Sequence, residues 1–208
     1  MGSRDDDPEA RDEEKPQHSV TVSDFYLQEH EVTNEEYRRF DPDHDPDAPD
    51  EHPVVNVNWQ EAMDYAAWLG GTLPTETQWE FAARGIDGRE FPWGDEAPTC
   101  ERANYSRCRR TVVAVKSYET GATPEDIYDL AGNVMEWCRD WYAPYEPTGQ
   151  TDPTGPPESV SSARVLRGGS FGDRPRDLRA ALRSYIYPNN RFDFLGFRVA
   201  WVGSGGLK

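Results

Sequence analysis

Three helix-start motifs constrain the fold of this chain more than any other feature of its sequence. In each, a Thr or Asn that can accept a backbone hydrogen bond precedes a Glu or Gln by three positions, which is a capping box. The boxes are Thr33 to Glu36, Asn58 to Glu61 and Thr75 to Gln78. The predicted helices cover 34–40, 59–69 and 76–84, with glycines ending the last two. Helices this short cannot build a helical bundle.

The remainder of the chain is rich in turn residues and aromatic side chains. It holds 17 Gly and 17 Pro, together with seven Trp, ten Tyr and eight Phe for a core. Alternating patterns predict strands at 19–26, 164–167 and 195–201. We therefore expect a loop-rich α+β fold, and the length of 208 residues fits one domain over 1–208.

The charge of −17 is unevenly distributed along the chain. Residues 1–51 hold 18 acidic and 5 basic residues, so −13 lies there. This field disfavours nucleic acid as a partner. No apolar run approaches the ~20 residues that cross a bilayer, so membrane insertion is not expected. The absence of a signal-peptide pattern favours a cytoplasmic location. Of the three cysteines, Cys100 and Cys108 could close a short loop, a pairing that the sequence leaves open.

The segment 164–200 has a strand pattern at each end and turn residues between. Its residues 164–198 contain eight Arg and three Asp, and large aromatic side chains are interleaved with them. That mixture is typical of a recognition surface. Two core strands joined by a long loop are the alternative interpretation.

Six sequence blocks give this chain its resemblance to a known family. They are FYLQEHEVTNEEYRRF (25–40), PVVNVNWQEAMDYAAWLGGTLPTETQWEFAARG (53–85), FPWGDE (91–96), IYDLAGNVMEWCRDWY (127–142), VLRGGSF (165–171) and GFRVA (196–200). In this order they resemble the formylglycine-generating-enzyme and sulfatase-modifying-factor family. The resemblance implies a C-type lectin-like fold with short helices and small antiparallel sheets.

The catalytic residues of that family do not carry over to this chain. Formylglycine-generating enzymes hold copper on two cysteines whose matching positions here are Asp173 and Leu178, neither a soft metal ligand. The four histidines lack the HxxxHxE spacing of the related iron enzymes. We therefore predict neither copper nor iron, and a chain that is not an enzyme.

The resemblance also implies a structural calcium site in the block at 127–142. Its matching ligands are the Asp129 and Glu136 carboxylates and the Gly132 and Val134 carbonyls, oxygen donors that suit Ca²⁺. A second family site begins with an Asn-hydrophobic pair, here Asn104-Tyr105, but the segment 106–110 lacks the expected Asp. We predict one calcium ion at most.

VLRGGS and GFRVA also resemble the fixed anchors of variable proteins from diversity-generating retroelements, whose intervening positions form a ligand-binding face. This implies binding of a protein or surface ligand, and exposed arginines here favour acidic groups on it. The matching positions are Phe171, Gly172, Asp173, Arg174, Arg176, Asp177, Leu182, Ser184, Tyr185, Ile186, Tyr187, Asn189, Phe192, Asp193 and Phe194. A fixed sensor or adaptor domain of a larger signalling protein, such as a kinase, is the alternative, and a formylglycine-generating oxidase is disfavoured.

Overall fold

The computed structural model describes residues 1–106, 108–156 and 162–203. Its three α-helices are α1 Asn34–Arg38, α2 Trp59–Trp68 and α3 Glu76–Arg84. Its strands are β1 Val20–Thr21, β2 Phe25–Leu27, β3 Met135–Trp141, β4 Gln150–Thr151, β5 Arg164–Arg167, β6 Ser184–Ile186, β7 Leu195–Gly196 and β8 Ala200–Val202. Three short 3₁₀ turns lie at Asp12–Glu14, Glu119–Gly121 and Pro175–Leu178. The loop-rich α+β prediction is confirmed.

Each predicted capping box is present at the start of its helix. The Thr33, Asn58 and Thr75 side chains each accept from the N3 amide, and the N3 side chain returns a hydrogen bond to the cap. Helix α1 ends at Arg38, two residues before the predicted end. Local hydrogen bonding therefore sets where these helices begin.

The main sheet has four strands in the order β6-β5-β3-β7. Strand β5 pairs antiparallel with both β3 and β6, which leaves β6 at one edge, whereas β3 and β7 are parallel. Two further pairs are β1 with β4, parallel, and β2 with β8, antiparallel. The prediction of antiparallel sheets therefore needs correction, because two of the five pairings among the described residues are parallel.

Two predicted strands are each divided between different sheets. The run 19–26 becomes β1 and β2, and the run 195–201 becomes β7 and β8. In the second run Phe197, Arg198 and Val199 are all fully buried, and the Arg198 side chain reaches Glu136. An alternating pattern assumes one exposed face, which this stretch does not have.

The core consists of three clusters of buried side chains. The largest packs α2 against the C-terminal strands, with Tyr65, Trp137 and Phe197 at its centre. The second surrounds Trp79 of α3, and the third joins Phe91 to Leu178. Among the described residues no helix is long and apolar enough to cross a membrane.

Candidate ligand-binding site

The predicted recognition segment begins with a tight turn after β5. Gly168 and Gly169 have φ angles of 92° and 70°, and a Cβ at Gly169 would lie 2.7 Å from the Asp177 carbonyl oxygen. Only glycine fits there. The turn is closed by Asp173, whose Oδ2 accepts from the Ser170 amide at 2.8 Å and from its hydroxyl at 2.7 Å.

Four of the eight arginines in this segment are buried in ion pairs. Arg167 donates to the Glu80 carboxylate at 2.5 Å and to the carbonyls of Ala180, Ala181 and Leu182. One side chain therefore holds three successive carbonyls of the chain against α3. Such multiple charge-assisted bonds make a rigid scaffold.

Two further arginines secure the same stretch from its other sides. Arg183 pairs with Glu76 through two hydrogen bonds of 2.5 and 2.7 Å, and Arg179 pairs with Glu14 at 2.8 and 2.7 Å. Burial opposes the ionisation of Glu76, but Arg183 and Arg167 outweigh burial and lower its pKa. Arg198, the fourth, lies on Glu136.

Thirteen of the fifteen predicted binding positions are at least partly exposed, and two are not. Asp177 is buried and accepts hydrogen bonds from Arg174 and Arg11. Leu182 is buried as well, in the stretch that Arg167 holds. These two residues therefore belong to the scaffold, which corrects the prediction.

The exposed positions lie in two patches. In the first, 171–176, the Phe171 amide donates to the Asn133 carbonyl, and the Asp173 carbonyl accepts from the Ser106 amide. In the second, 184–194, strand β6 and the following loop run along the sheet edge, and the Phe192 carbonyl accepts from the Asn56 amide. The first patch contacts the loops around 106 and 133. The second patch contacts β5 and the loop before α2.

The four aromatic residues of the second patch differ in exposure. Tyr185 and Tyr187 are 46% and 63% exposed. Phe192 and Phe194 stack on each other at 4.9 Å and are half-buried against the largest core cluster. All four are predicted binding positions, but only the two tyrosines present a large part of their side chains to solvent as contact area for a ligand.

An arginine between two tryptophans lies beside the second patch, and sequence reasoning missed it. The Arg164 guanidinium lies 3.5 Å from the Trp59 ring centroid and 3.4 Å from that of Trp141. The Trp59 indole is fixed by its N–H, which donates to the Cys138 carbonyl at 2.9 Å. Burial lowers the pKa of Arg164 to about 10. The three members of this stack, Trp59, Trp141 and Arg164, come from α2, β3 and β5. No local sequence motif therefore indicates the stack.

The predicted calcium ligands lie together, but their carboxylates already have partners. Both Glu136 oxygens accept from Arg198 at 2.8 Å, and Oε2 also accepts from the Trp79 indole. Asp129 accepts from the Lys116 amide at 2.7 Å. Because Arg198 neutralises Glu136, this arrangement fits an internal ion pair better than a calcium ion. The described residues contain no group of three acidic, His or Cys side chains placed to hold a metal.

Glu31 joins this buried group, although nothing in its sequence context indicated it. Its carboxylate accepts from the Asn133 side chain and the Val134 amide. Burial, followed by the nearby Asp129 and Glu136, raises the pKa of Glu31 well above its usual value. Burial likewise raises the pKa of Asp129. Gly132 is sterically required here, since a Cβ would lie 2.2 Å from the Asn104 carbonyl oxygen.

The loop at the position of the second family calcium site is closed by a disulfide. Cys100 and Cys108 form a disulfide across it, so the open pairing is resolved, and Cys138 is a buried free thiol. The Asn104 side-chain Nδ2 donates to the Thr111 carbonyl and to the Asn133 side-chain oxygen. Arg107 lies outside the described residues, and the loss of this second calcium site stays a prediction.

Comparison with known proteins assigns the family directly. The model of the sulfatase-modifying factor enzyme 1-like domain matches residues 1–202. The chain belongs to this family. A formylglycine-generating enzyme from Streptomyces coelicolor is 40% identical over 72% of the chain and 52% of its own length. The serine/threonine-protein kinase pkn1 of Chlamydia pneumoniae is 36% identical over 92% of the chain. The chain spans about a third of that kinase, 35% of its length.

A solved structure supports the same assignment of the fold. Treponema denticola variable protein 1 superposes with a TM-score of 0.83 at 25% identity, covering 97% of this chain and 91% of that protein. The predicted C-type lectin-like fold of the formylglycine-generating type and the resemblance to variable proteins are thereby confirmed.

The relatives contradict the prediction that this chain is not an enzyme. Besides the formylglycine-generating enzyme, a hercynine oxygenase of Mycolicibacterium thermoresistibile is 32% identical over 94% of the chain. The prediction was too general. Asp173 and Leu178, at the positions of the two copper-binding cysteines, argue only against the copper-dependent reaction of formylglycine-generating enzymes. Membership of the family leaves a catalytic role open.

Proposed function

We propose that this family member binds a protein or surface ligand through the exposed positions between β5 and β7. The observation that carries the proposal is the pair Tyr185 and Tyr187, which stand exposed on and just after the edge strand β6. Tyrosines offer a large contact area at a low cost in side-chain entropy. Exposed aromatic side chains on one strand are a common basis of protein recognition.

The rigidity beneath these tyrosines supports the proposal. Val165 and Leu166 of β5 pair with Tyr185 and Ser184, and Tyr185 stacks on Tyr142 with ring centroids 4.0 Å apart. The residue immediately before β6, Arg183, is anchored to Glu76. A surface that is already ordered loses little entropy when it binds, which favours affinity.

The ligand we propose carries acidic groups and is not a nucleic acid. Arg174 and Arg176 are exposed in the first patch, and both interact with the buried Asp177. Arg11 also pairs with Asp177, so three guanidinium groups share one carboxylate. The exposed guanidinium groups of Arg174 and Arg176 can pair with a carboxylate on the partner.

Mutation of the two tyrosines tests this proposal. A phage-displayed library of random dodecapeptides would be selected on the wild-type protein, and the selected peptides assayed against Tyr185→Ala/Tyr187→Ala. We expect at least a tenfold loss of affinity, because hot-spot aromatic residues contribute about 2 kcal/mol or more each, while the melting temperature stays within a few degrees. Tyr26→Ala, on β2, is the control because Tyr26 is 56% exposed there. Equal binding by all three proteins would contradict the proposal.

We further propose that the exposed positions are diversified, as the resemblance to retroelement variable proteins implies. Deep sequencing of codons 160–201 in a growing population of the source organism would test this. Substitutions confined to the predicted positions, with VLRGGS and GFRVA unchanged, are expected. An invariant segment would instead favour the fixed sensor or adaptor role, which the similarity to Chlamydia kinases also supports.

The enzyme relatives make catalysis the second candidate function. It would be tested by incubating the protein with copper or iron, oxygen, and either cysteine-containing peptides or hercynine, followed by mass spectrometry. A mass change that requires both the metal and the protein would establish turnover. Such a result would leave the binding proposal to be decided by the tyrosine variants.

A further inference from the structure

Arg164 is held in one orientation by the two indoles that flank it. The register between β3 and β5 shifts between Trp137 and Trp141, and such a bulge redirects the side chains that follow it. Trp141 is thereby set directly opposite Arg164. On the other side of the guanidinium lies Trp59, the first residue of α2. Its indole is held in place by the hydrogen bond to the Cys138 carbonyl.

Arg164 differs from the other arginines of the segment in its charge balance. The other seven, at 167, 174, 176, 179, 183, 191 and 198, each have a carboxylate within 4.0 Å. Within the described part of the chain, Arg164 has no such carboxylate. Its Nη1 donates to the Arg139 carbonyl at 2.7 Å, and its buried Nε has no hydrogen bond.

The position of Arg164 brings its guanidinium beside Ile186, one of the predicted binding positions of the second patch. Arg164 lies opposite Ile186 and its neighbour Val165 lies opposite Tyr185. The half-buried guanidinium is therefore one strand away from Ile186 and on the sheet face opposite to Tyr185, because successive residues of a strand point to opposite faces. Burial lowers the pKa of Arg164, and Asp140, which is not within ion-pair distance, opposes this effect only in part. Burial of a charge without a paired carboxylate is costly, so a carboxylate of the ligand would stabilise this guanidinium.

We propose that Arg164, between Trp59 and Trp141, is a subsite for a carboxylate group of the ligand. This inference rests on the proposed binding function and names one chemical group that the ligand carries. Both faces of the guanidinium are covered by rings and its Nε is buried, so a carboxylate approaches the Nη end, where parallel N–H groups match two carboxylate oxygens. Lysine keeps the charge but lacks this planar fork, so we expect it to replace arginine only in part.

A matched peptide array tests the subsite. Each peptide would be made in three forms: one internal Glu with an amidated C-terminus, Gln in place of that Glu, and the Gln form with a free C-terminus. The first and third forms separate a side-chain carboxylate from a terminal one. We expect the wild-type protein to bind one carboxylate form about tenfold or more tighter than the amidated Gln form.

Substitution of Arg164 should remove this preference selectively. Arg164→Gln is expected to bind all three forms equally, and Arg164→Lys to retain only part of the preference. Arg39→Gln, at an exposed arginine directly after α1 and outside the proposed binding positions, should keep the preference unchanged. Melting temperatures of the variants would verify folding, and a change in tryptophan emission on binding the acidic peptide should be lost in Arg164→Gln.

Two results would overturn the subsite. One is a wild-type protein that shows no carboxylate preference, and the other is the same preference in Arg164→Gln. If the tyrosine pair is still required for binding, the proposed function survives either result. Conversely, a preference that depends on Arg164 but not on Tyr185 and Tyr187 would support the subsite while contradicting the proposed face.

Discussion

The C-terminal segment contains two groups of arginines that the sequence does not distinguish. Arg167, Arg179, Arg183 and Arg198 are buried and paired with glutamates. Arg174 and Arg176 are exposed, with more than half of each side chain open to solvent. The first group holds the chain in place, and the second contributes charge to the surface.

The difference shows why the composition of a segment is a poor measure of its surface. The partners of the buried group come from distant parts of the chain: Glu14, Glu76, Glu80 and Glu136. Half of the eight positive charges are thereby neutralised internally. The exposed part of the segment is much less basic than its sequence indicates.

The largest effect is expected from breaking a buried pair. Arg167→Met would remove the cation that Glu80 and Glu76 share, leaving them with Arg84 and Arg183 respectively. It would also leave three backbone carbonyls without this donor. Removal of one partner of a buried ion pair costs about 3–5 kcal/mol. Urea denaturation would measure the loss in the free energy of unfolding.

The matched control is the same substitution in the exposed group. Arg174→Met removes a surface pair with Asp177, which contributes less than about 1 kcal/mol. Similar losses for the two variants would contradict the division into a scaffold group and a surface group.

A smaller change in the free energy of unfolding, dependent on pH, is expected from the buried carboxyl of Asp140. Burial and the neighbouring Glu76 raise its pKa to about 7, above the value of about 3.9 in an unfolded chain. The folded protein therefore holds this proton more tightly, and the resulting stability is complete below about pH 4 and lost as pH rises through about 7.

Asp140→Asn should remove this dependence, since an amide can still accept from the Glu76 backbone N–H. Unfolding free energies of both proteins between about pH 4 and pH 8 would show the wild-type losing stability relative to the variant as pH rises. A difference that does not vary with pH would show that Asp140 is ionised throughout.

The smallest effect is expected from removing calcium. Because Arg198 already neutralises Glu136, we expect chelation to shift the melting temperature little. Metal analysis after dialysis should find at most one calcium ion per chain. Two ions would contradict the predicted loss of the second calcium site. A large loss of stability with a chelator would show that Arg198 moves away from Glu136 to admit a cation.

The sequence was most informative where the interactions are local. Each capping box joins residues three positions apart, so Thr33, Asn58 and Thr75 identify helix starts without any tertiary contact. The strands were predicted less well, because β7 and β8 obtain their partners from β3 and β2. Pairing across such distances divides one alternating run between two sheets.

By itself, the sequence determined the helix starts, the loop-rich α+β class and membership of the family, because these depend on local hydrogen bonds and on motifs in order. Only the tertiary structure decided which arginines and aromatic residues face solvent. Glu76 and Arg183 are 107 positions apart, and the three members of the Trp59, Arg164 and Trp141 stack come from separate elements. Burial and pairing at that range follow from packing, which no local pattern contains.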